Sequence, residues 1–220
     1  MKLRRSIALS VAAGAAILTA APSAASAASA ALSAPAPTGT RSLAAVLTSN
    51  GNDQLDGNPF DYDIVTQAVL AVGGAKPNSP VSLLTKGDVA LTAFLPPDFA
   101  IRDLVRQLTG KTVASEQDAF NAVAGLGIDT VEAVLLYHVI PGATITSKDA
   151  VNADGAKLTT ALGPTITVDV VVKWLSIVKL VDQDTNDANP YLNPFALNIN
   201  QGNKQIAHGI SAVLRPLDQP

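Results

Sequence analysis

The stretch that most constrains this chain runs from Val131 to Gly142, Val-Glu-Ala-Val-Leu-Leu-Tyr-His-Val-Ile-Pro-Gly. It is the most apolar run beyond the N-terminus, and it carries His138, one of only two histidines. Val131, Val134 and Leu135 share one helical face. Asp129 and Glu132 have the spacing of an Asp-type capping box, which predicts a helix start there. Pro141 disfavours helical geometry at Ile140, so the helix must end near Leu136 or Tyr137 and pass into a strand. Tyr137 and His138 therefore fall at a helix-to-strand junction between apolar flanks. The rest of the chain is expected to pack around this junction.

The first part of the chain reads as a secretory leader, not as fold. Lys2, Arg4 and Arg5 precede an uncharged apolar run from Ile7 to Ala21, and Ala25-Ser26-Ala27 fits the small-residue cleavage rule. Residues 1–27 are thus expected to be a signal peptide, residues 28–40 a flexible Ala/Ser/Pro-rich tether, and residues 41–218 one folded domain. Lys2, Arg4 and Arg5 leave with the leader and no acid does, so three positive charges are lost and the net charge moves from −3 to −6. An acidic surface argues against a nucleic-acid partner. No later segment reaches the roughly 18 apolar residues of a membrane span. The chain has no cysteine, so an exported domain must be held by its core alone, which a hydrophobic content of 48% allows.

Helices are predicted over 42–47, from Asp61 or Asp63 to a stop at Gly73-Gly74, from an Asp98 cap over Phe99–Leu108, and from Ser115 or Asp118 to about Ala124. Asn50–Asn58 reads as a loop, Pro77–Pro80 as a turn and Val89–Leu95 as a strand. The second half is strand-like. Its segments are 143–147, 156–162 and 165–173, the last two a hairpin about Gly163-Pro164, then 175–181, 196–200 and 206–214. Helices first and strands later predict an α+β fold with mostly antiparallel strands.

Most chemical motifs fail. Gly110-Lys111-Thr112 lacks the glycine a phosphate loop needs, since Val105 stands there, and Gly125-Leu-Gly127 has Thr130 where the third dinucleotide-binding glycine belongs. Gly209-Ile-Ser211-Ala-Val213 misses the last glycine of a hydrolase elbow. Asp182 to Asn193 places oxygens at alternating positions as a calcium loop does, but Asp187 replaces the turn glycine and Asn193 the bidentate glutamate; a solvated turn is the simpler reading. His138 and His208 each admit a catalytic or ligand role, and a His138–His208–Asp98 cluster would form if the three converged. The preferred reading is a neutral, hydrogen-bonded histidine locking the junction, with the same reading for His208.

Three blocks resemble the fasciclin (FAS1) domain. Leu91-Thr-Ala-Phe-Leu-Pro-Pro-Asp98-Phe-Ala100 is similar to its first signature, T-V-F-A-P-T-D-x-A-F. Leu135-Leu-Tyr137-His138-Val-Ile-Pro141-Gly142 is similar to its tyrosine–histidine block. Ile206-Ala-His208-Gly-Ile210-Ser211-Ala-Val213-Leu214 resembles its closing signature. Pro97 stands where that family has Thr and Ser211 where it has Asp, and the segment from Asp182 to Asn198 is longer than a minimal domain needs. The resemblance implies a β-wedge or sandwich with helices along one edge and an extracellular adhesion or protein/matrix-interaction role. It implies no catalysis and no cofactor, and no metal site is expected. It makes Tyr137, His138, Asp98 and His208 the candidate interaction or structural residues. The Ala-rich leader points to a bacterium, and the product is expected to be secreted, free or held non-covalently at the cell surface. The alternatives are an extracellular binder of a lipid, glycan or peptide, which predicts a sizeable apolar pocket, and a hydrolase using an exposed histidine beside a carboxylate or hydroxyl.

Overall fold

The computed structural model describes residues 37–49 and 54–216. The expected leader, most of the tether, the first four residues of the Asn50–Asn58 segment and the final residues lie outside them. In order, the elements are α1 (Leu43–Leu47), α2 (Asp63–Ala75), a 3-10 helix (Pro80–Thr85), β1 (Leu91–Leu95), α3 (Asp98–Thr109), α4 (Glu116–Ala124), α5 (Ile128–Tyr137), β2 (Val139–Pro141), α6 (Ser147–Val151), β3 (Lys157–Thr159), β4 (Thr165–Val172), β5 (Ile177–Val181) and β6 (Gln205–Gly209). Among the described residues no single helix is long and apolar enough to cross a membrane.

The fold is α+β, with two three-stranded sheets. One is ordered β2-β1-β6, and the other is β3-β4-β5 and antiparallel throughout. Strand pairing is mostly antiparallel, as expected, and the exception lies at the centre of the first sheet. There β1 and β6 run parallel, with Leu91 opposite Gln205 and Phe94 opposite His208. The edge strand β2 has only three residues because Pro141 has no N–H to continue the ladder.

Both faces of β1 are buried. Leu91, Ala93 and Leu95 pack into a cluster with α1, α2 and α5, and Phe94 packs into a second cluster with β4, β5 and Tyr137. The first sheet is thus the middle layer of the fold, helices on one side and the second sheet on the other. A strand buried on both faces must satisfy its polar side chains inside the core. Thr92 does so by donating to the Ala143 carbonyl and accepting from the Ile145 N–H, both at 2.8 Å. Gln205, fully buried, accepts from Leu43 N–H at 2.7 Å and donates to the carbonyls of Leu83 and Lys86. Just before α1, Gly39 forms a parallel bridge with Asn203, bringing the first described segment alongside β6.

Several expectations are corrected. The Asp129–Glu132 capping box does not form: Gly127 is the N-cap of α5, and both acids instead bind Lys76 at the end of α2. Helix α2 runs through Gly73-Gly74 to Ala75, because its inward face is fixed by Ile64, Val65, Ala68 and Val72. Residues 143–146 are not a strand, and a true capping box of Thr146 and Asp149 starts α6 behind them. Residues 196–200 contribute only a single bridge, Ile199 to Ala207, and the last strand stops at Gly209. The hairpin about Gly163-Pro164 is present, with Leu158 opposite Ile166.

Gln205→Leu leaves the buried Leu43 N–H without a partner, while the Leu83 and Lys86 carbonyls still accept from the Lys86 and Val89 N–H groups, and it is expected to lower stability by about 1–3 kcal/mol. Urea denaturation should show this as a lower midpoint at an unchanged slope.

Candidate functional site

The Tyr137–His138 junction is packing, not surface. His138 follows the last turn of α5 with φ −86° and ψ −1°, the conformation through which the chain leaves the helix for β2 without a linker. Both side chains are buried. The Leu214 N–H donates to Nε2 of His138 at 3.0 Å, so the ring proton sits on Nδ1, which lies 2.7 Å from the Val134 carbonyl. The His138 carbonyl accepts from Phe94 N–H at 2.9 Å. One residue therefore ties α5, β1 and the C-terminal tail together. Burial pushes the imidazole down to about 4, against the opposing pull of its hydrogen bond to Val134, so it is neutral at pH 7. Tyr137 points the other way and donates to the Thr165 carbonyl at 3.2 Å; burial, then Asp182, pushes its phenol up to about 12.

His208 carries the opposite tautomer. Its Nδ1 accepts from Asn198 N–H at 3.3 Å, leaving the proton on Nε2, 2.9 Å from the Ile145 carbonyl. Burial also lowers its pKa. Asp98 is fully buried, but it does not cap its own helix. Its Oδ1 accepts from Ile64 N–H at 3.1 Å and so caps α2, where neither Asp61 nor Asp63 does. Burial pushes Asp98 up to about 8, with Asp61, Glu116 and Asp63 adding to the rise. The three side chains share no hydrogen-bond partner, so the His138–His208–Asp98 cluster is not assembled.

The segment from Asp182 is not a solvated turn. Asp182 and Asp184 are buried, and Arg215 gathers the loop: its N–H donates to Asp182 Oδ2 at 2.8 Å, and its guanidinium reaches Asp184 and Asp187. The alternating oxygens serve an arginine from the C-terminal tail.

What faces solvent is a groove that the sequence reading missed. Phe60, Phe99, Tyr191 and Phe195 surround a space of about 600 Å³, together with Leu192, Pro194 and Ser211. Phe195 is 97% exposed and Phe60 74%. Phe60 meets Phe99 edge-on with ring centres 5.9 Å apart. That wall is set by the Asp98 and Phe99 N–H groups, which donate to the carbonyls of Asp61 and Pro59. The opposite wall hangs on the end of β6: Asn193 N–H donates to Gly209 O, and Gly209 N–H to Ala196 O at 2.7 Å. A Cβ at Gly209 would lie 2.6 Å from the Tyr62 hydroxyl and 2.7 Å from the Ala196 Cβ, so only glycine lets the walls approach. Four of the chain's nine aromatic residues line this groove. The available signal was aromatic residues set inside polar loops, Phe60 after Asn58-Pro59 and Phe195 after Asn193-Pro194. A second, apolar pocket beside His138, lined by Ile64, Ala68, Val131 and Val213, measures only about 60 Å³.

No protein-family model matches the chain, and a search of curated proteins finds no match. Among solved structures, the fold is similar to that of a FAS1 domain pair from the insect cell adhesion molecule fasciclin I. The TM-score is 0.52 at 14% identity, and the match covers 80% of this chain and 51% of that one. The chain thus spans about half the length of that structure, and the likeness is one of fold: the architecture is FAS1-like.

His138→Ala strips a buried acceptor from Leu214 N–H and a donor from Val134 O, and is expected to cost about 2–4 kcal/mol in denaturant unfolding. The native imidazole titrates below its unfolded value of 6.5. Its contribution is therefore complete above pH 6.5 and lost as pH falls through about 4. The difference is roughly 3 kcal/mol. Ring ¹⁵N shifts should report a neutral Nδ1–H tautomer from pH 8 down to 5; titration near 6 would contradict the assigned environment.

Proposed function

We propose that this chain is an exported, non-enzymatic adhesion module that binds an extracellular or cell-surface protein through the Phe60–Phe99–Tyr191–Phe195 groove. The observation that carries the reading is the clustering of exposed aromatic rings on one rigidly braced groove. Aromatic side chains are enriched among residues that dominate protein–protein binding, and a polar rim around them is the usual arrangement. Here Asn193 and Ser211 belong to that rim. The leader-like residues 1–27 support export, and the FAS1-like architecture, found also in an insect cell adhesion molecule, supports adhesion. Tyr137, His138 and His208, all buried, act in this reading through the shape they hold and touch no partner.

A second reading has the same groove hold a lipid, glycan or peptide. Its volume of about 600 Å³ falls in the range of small-ligand sites, whereas the pocket of about 60 Å³ beside His138 does not.

The double variant Phe60→Ser/Phe195→Ser removes the two most exposed rings of the groove. It is expected to keep its melting temperature and to lose at least about tenfold in binding to intact cell surfaces. A His138→Ala variant, assayed at a temperature where it remains folded, should bind as the parent does. If the double variant binds like the parent, the groove is not the docking surface. Saturable uptake of a small apolar dye, displaced by lipid and not by surface protein, would favour the second reading.

A further inference from the structure

Three helices of this fold begin with an acid at their first position: Asp63 in α2, Asp98 in α3 and Glu116 in α4. Their starts converge. Asp61, Asp98 and Glu116 each offer a carboxylate oxygen, and these atoms all lie within 4.8 Å of one another; Asp56, Asp61 and Asp63 form a second such set that shares Asp61. We propose that Asp61, Asp98 and Glu116, backed by Asp63 and Asp56, form a calcium-binding site that clamps the starts of α2, α3 and α4 together. This departs from the expectation of no metal, and it stands independently of the docking groove.

Acids at helix starts have an ordinary explanation, since each N-terminus carries roughly half a positive charge. Three helices then supply about +1.5 against as many as five carboxylates. Among the described residues, no lysine or arginine forms a salt bridge with any of the five. The second, independent observation is the state of the individual oxygens. Asp98, Asp63 and Glu116 are each tethered through one oxygen by a backbone N–H, from Ile64, Asp56 and Gly57 respectively. The other oxygen of each, Asp98 Oδ2, Asp63 Oδ1 and Glu116 Oε1, is buried and without a partner, and so is Asp61 Oδ1. Asp98 and Asp63 are fully buried and Glu116 is 3% exposed. Buried oxygens are rarely left unpaired, and three of these four belong to the Asp61–Asp98–Glu116 set, which calls for a shared positive ligand. Burial, and after it the neighbouring acids, raises the pKa of Asp61, Asp63 and Asp98.

The donor set selects the ion. Three carboxylates, with a second set of three sharing Asp61 beside them and no imidazole or thiolate, suit a hard cation. Calcium accepts 6–8 oxygens at 2.3–2.6 Å, so two of its ligands span up to about 5 Å, and it tolerates the irregular geometry of three helix starts and a loop. Magnesium demands a near-ideal octahedron.

The test uses the full exported chain, stripped with chelator and melted at fixed ionic strength with calcium chloride, magnesium chloride or sodium chloride. Calcium at tenfold excess over its Kd is expected to raise Tm by about 3–6 °C, with magnesium well behind. Glu116→Gln and Asp98→Asn keep an acceptor for Gly57 and Ile64 and replace a carboxyl group that calcium would ionise and bind with one that cannot ionise. Each is expected to raise the calcium-free Tm and to abolish the calcium shift. Two variants guard against loss of folding in either. Equal calcium shifts in parent and variants would mean general screening and overturn the site. A stabilising effect of both variants with no calcium response in the parent would mean that the cluster shares protons, and would also overturn it. A magnesium shift as large as calcium's would overturn the choice of ion.

Discussion

Burial of β1 and β6 on both faces is the constraint from which the rest of the architecture follows. A two-sided interior strand leaves its polar side chains no water, so each needs a protein partner at a fixed place. Thr92, Gln205 and His208 meet this with backbone groups of residues far away in the chain, and His138 does the same for the tail at Leu214. Hydrophobic contact alone would tolerate a slipped register, because Leu, Val and Ile are interchangeable in bulk terms. The polar contacts are not interchangeable. Sliding β6 by one residue against β1 would exchange its faces. It would carry Gln205 away from the Leu83 and Lys86 carbonyls and from Leu43, whose N–H would be left unpaired in the core.

The same logic distinguishes the two acidic regions. At the end of β5, three aspartates gather around Arg215, and the tail that carries it is drawn onto the second sheet. At the starts of α2, α3 and α4, the acids have one oxygen each engaged by a backbone N–H and one unengaged. The first region has a cation among its acids; the second, among the described residues, has none. Phe60 and Phe99 adjoin Asp61 and Asp98 in the chain, so whatever neutralises the second region also bears on one wall of the aromatic groove.

Much of the fold was legible in the sequence because local signals and tertiary demands agreed. Pro141 ended α5 where expected, Ser42 and Ser115 cap α1 and α4, and Gly163-Pro164 turns the β3–β4 hairpin. The misreadings share one cause, which is partnership across distance. Asp98 has the sequence position of a cap for α3 and caps α2 instead, because the loop at Asp61 pairs with the α3 start. Asp129 and Glu132 have capping-box spacing, but Lys76 claims both. Parallel pairing of β1 with β6 leaves no local trace, since over a hundred residues separate them. The groove was invisible for the same reason: its four rings come from three separate stretches, and only folding shows them to be neighbours.

The bridge between Gly39 and Asn203 has a mechanical consequence. Gly39 N–H donates to Gly202 O and Lys204 N–H to Gly39 O, while Arg41 N–H reaches the Asn203 side chain. The two segments run in the same direction, so tension drawing the chain's ends apart slides one along the other. Sliding loads these bonds together, whereas peeling would break them one at a time. Resistance to force is set by the barrier to rupture, not by equilibrium stability. A molecule tethered by its ends would therefore hold through this short lateral seam until several bonds gave way at once.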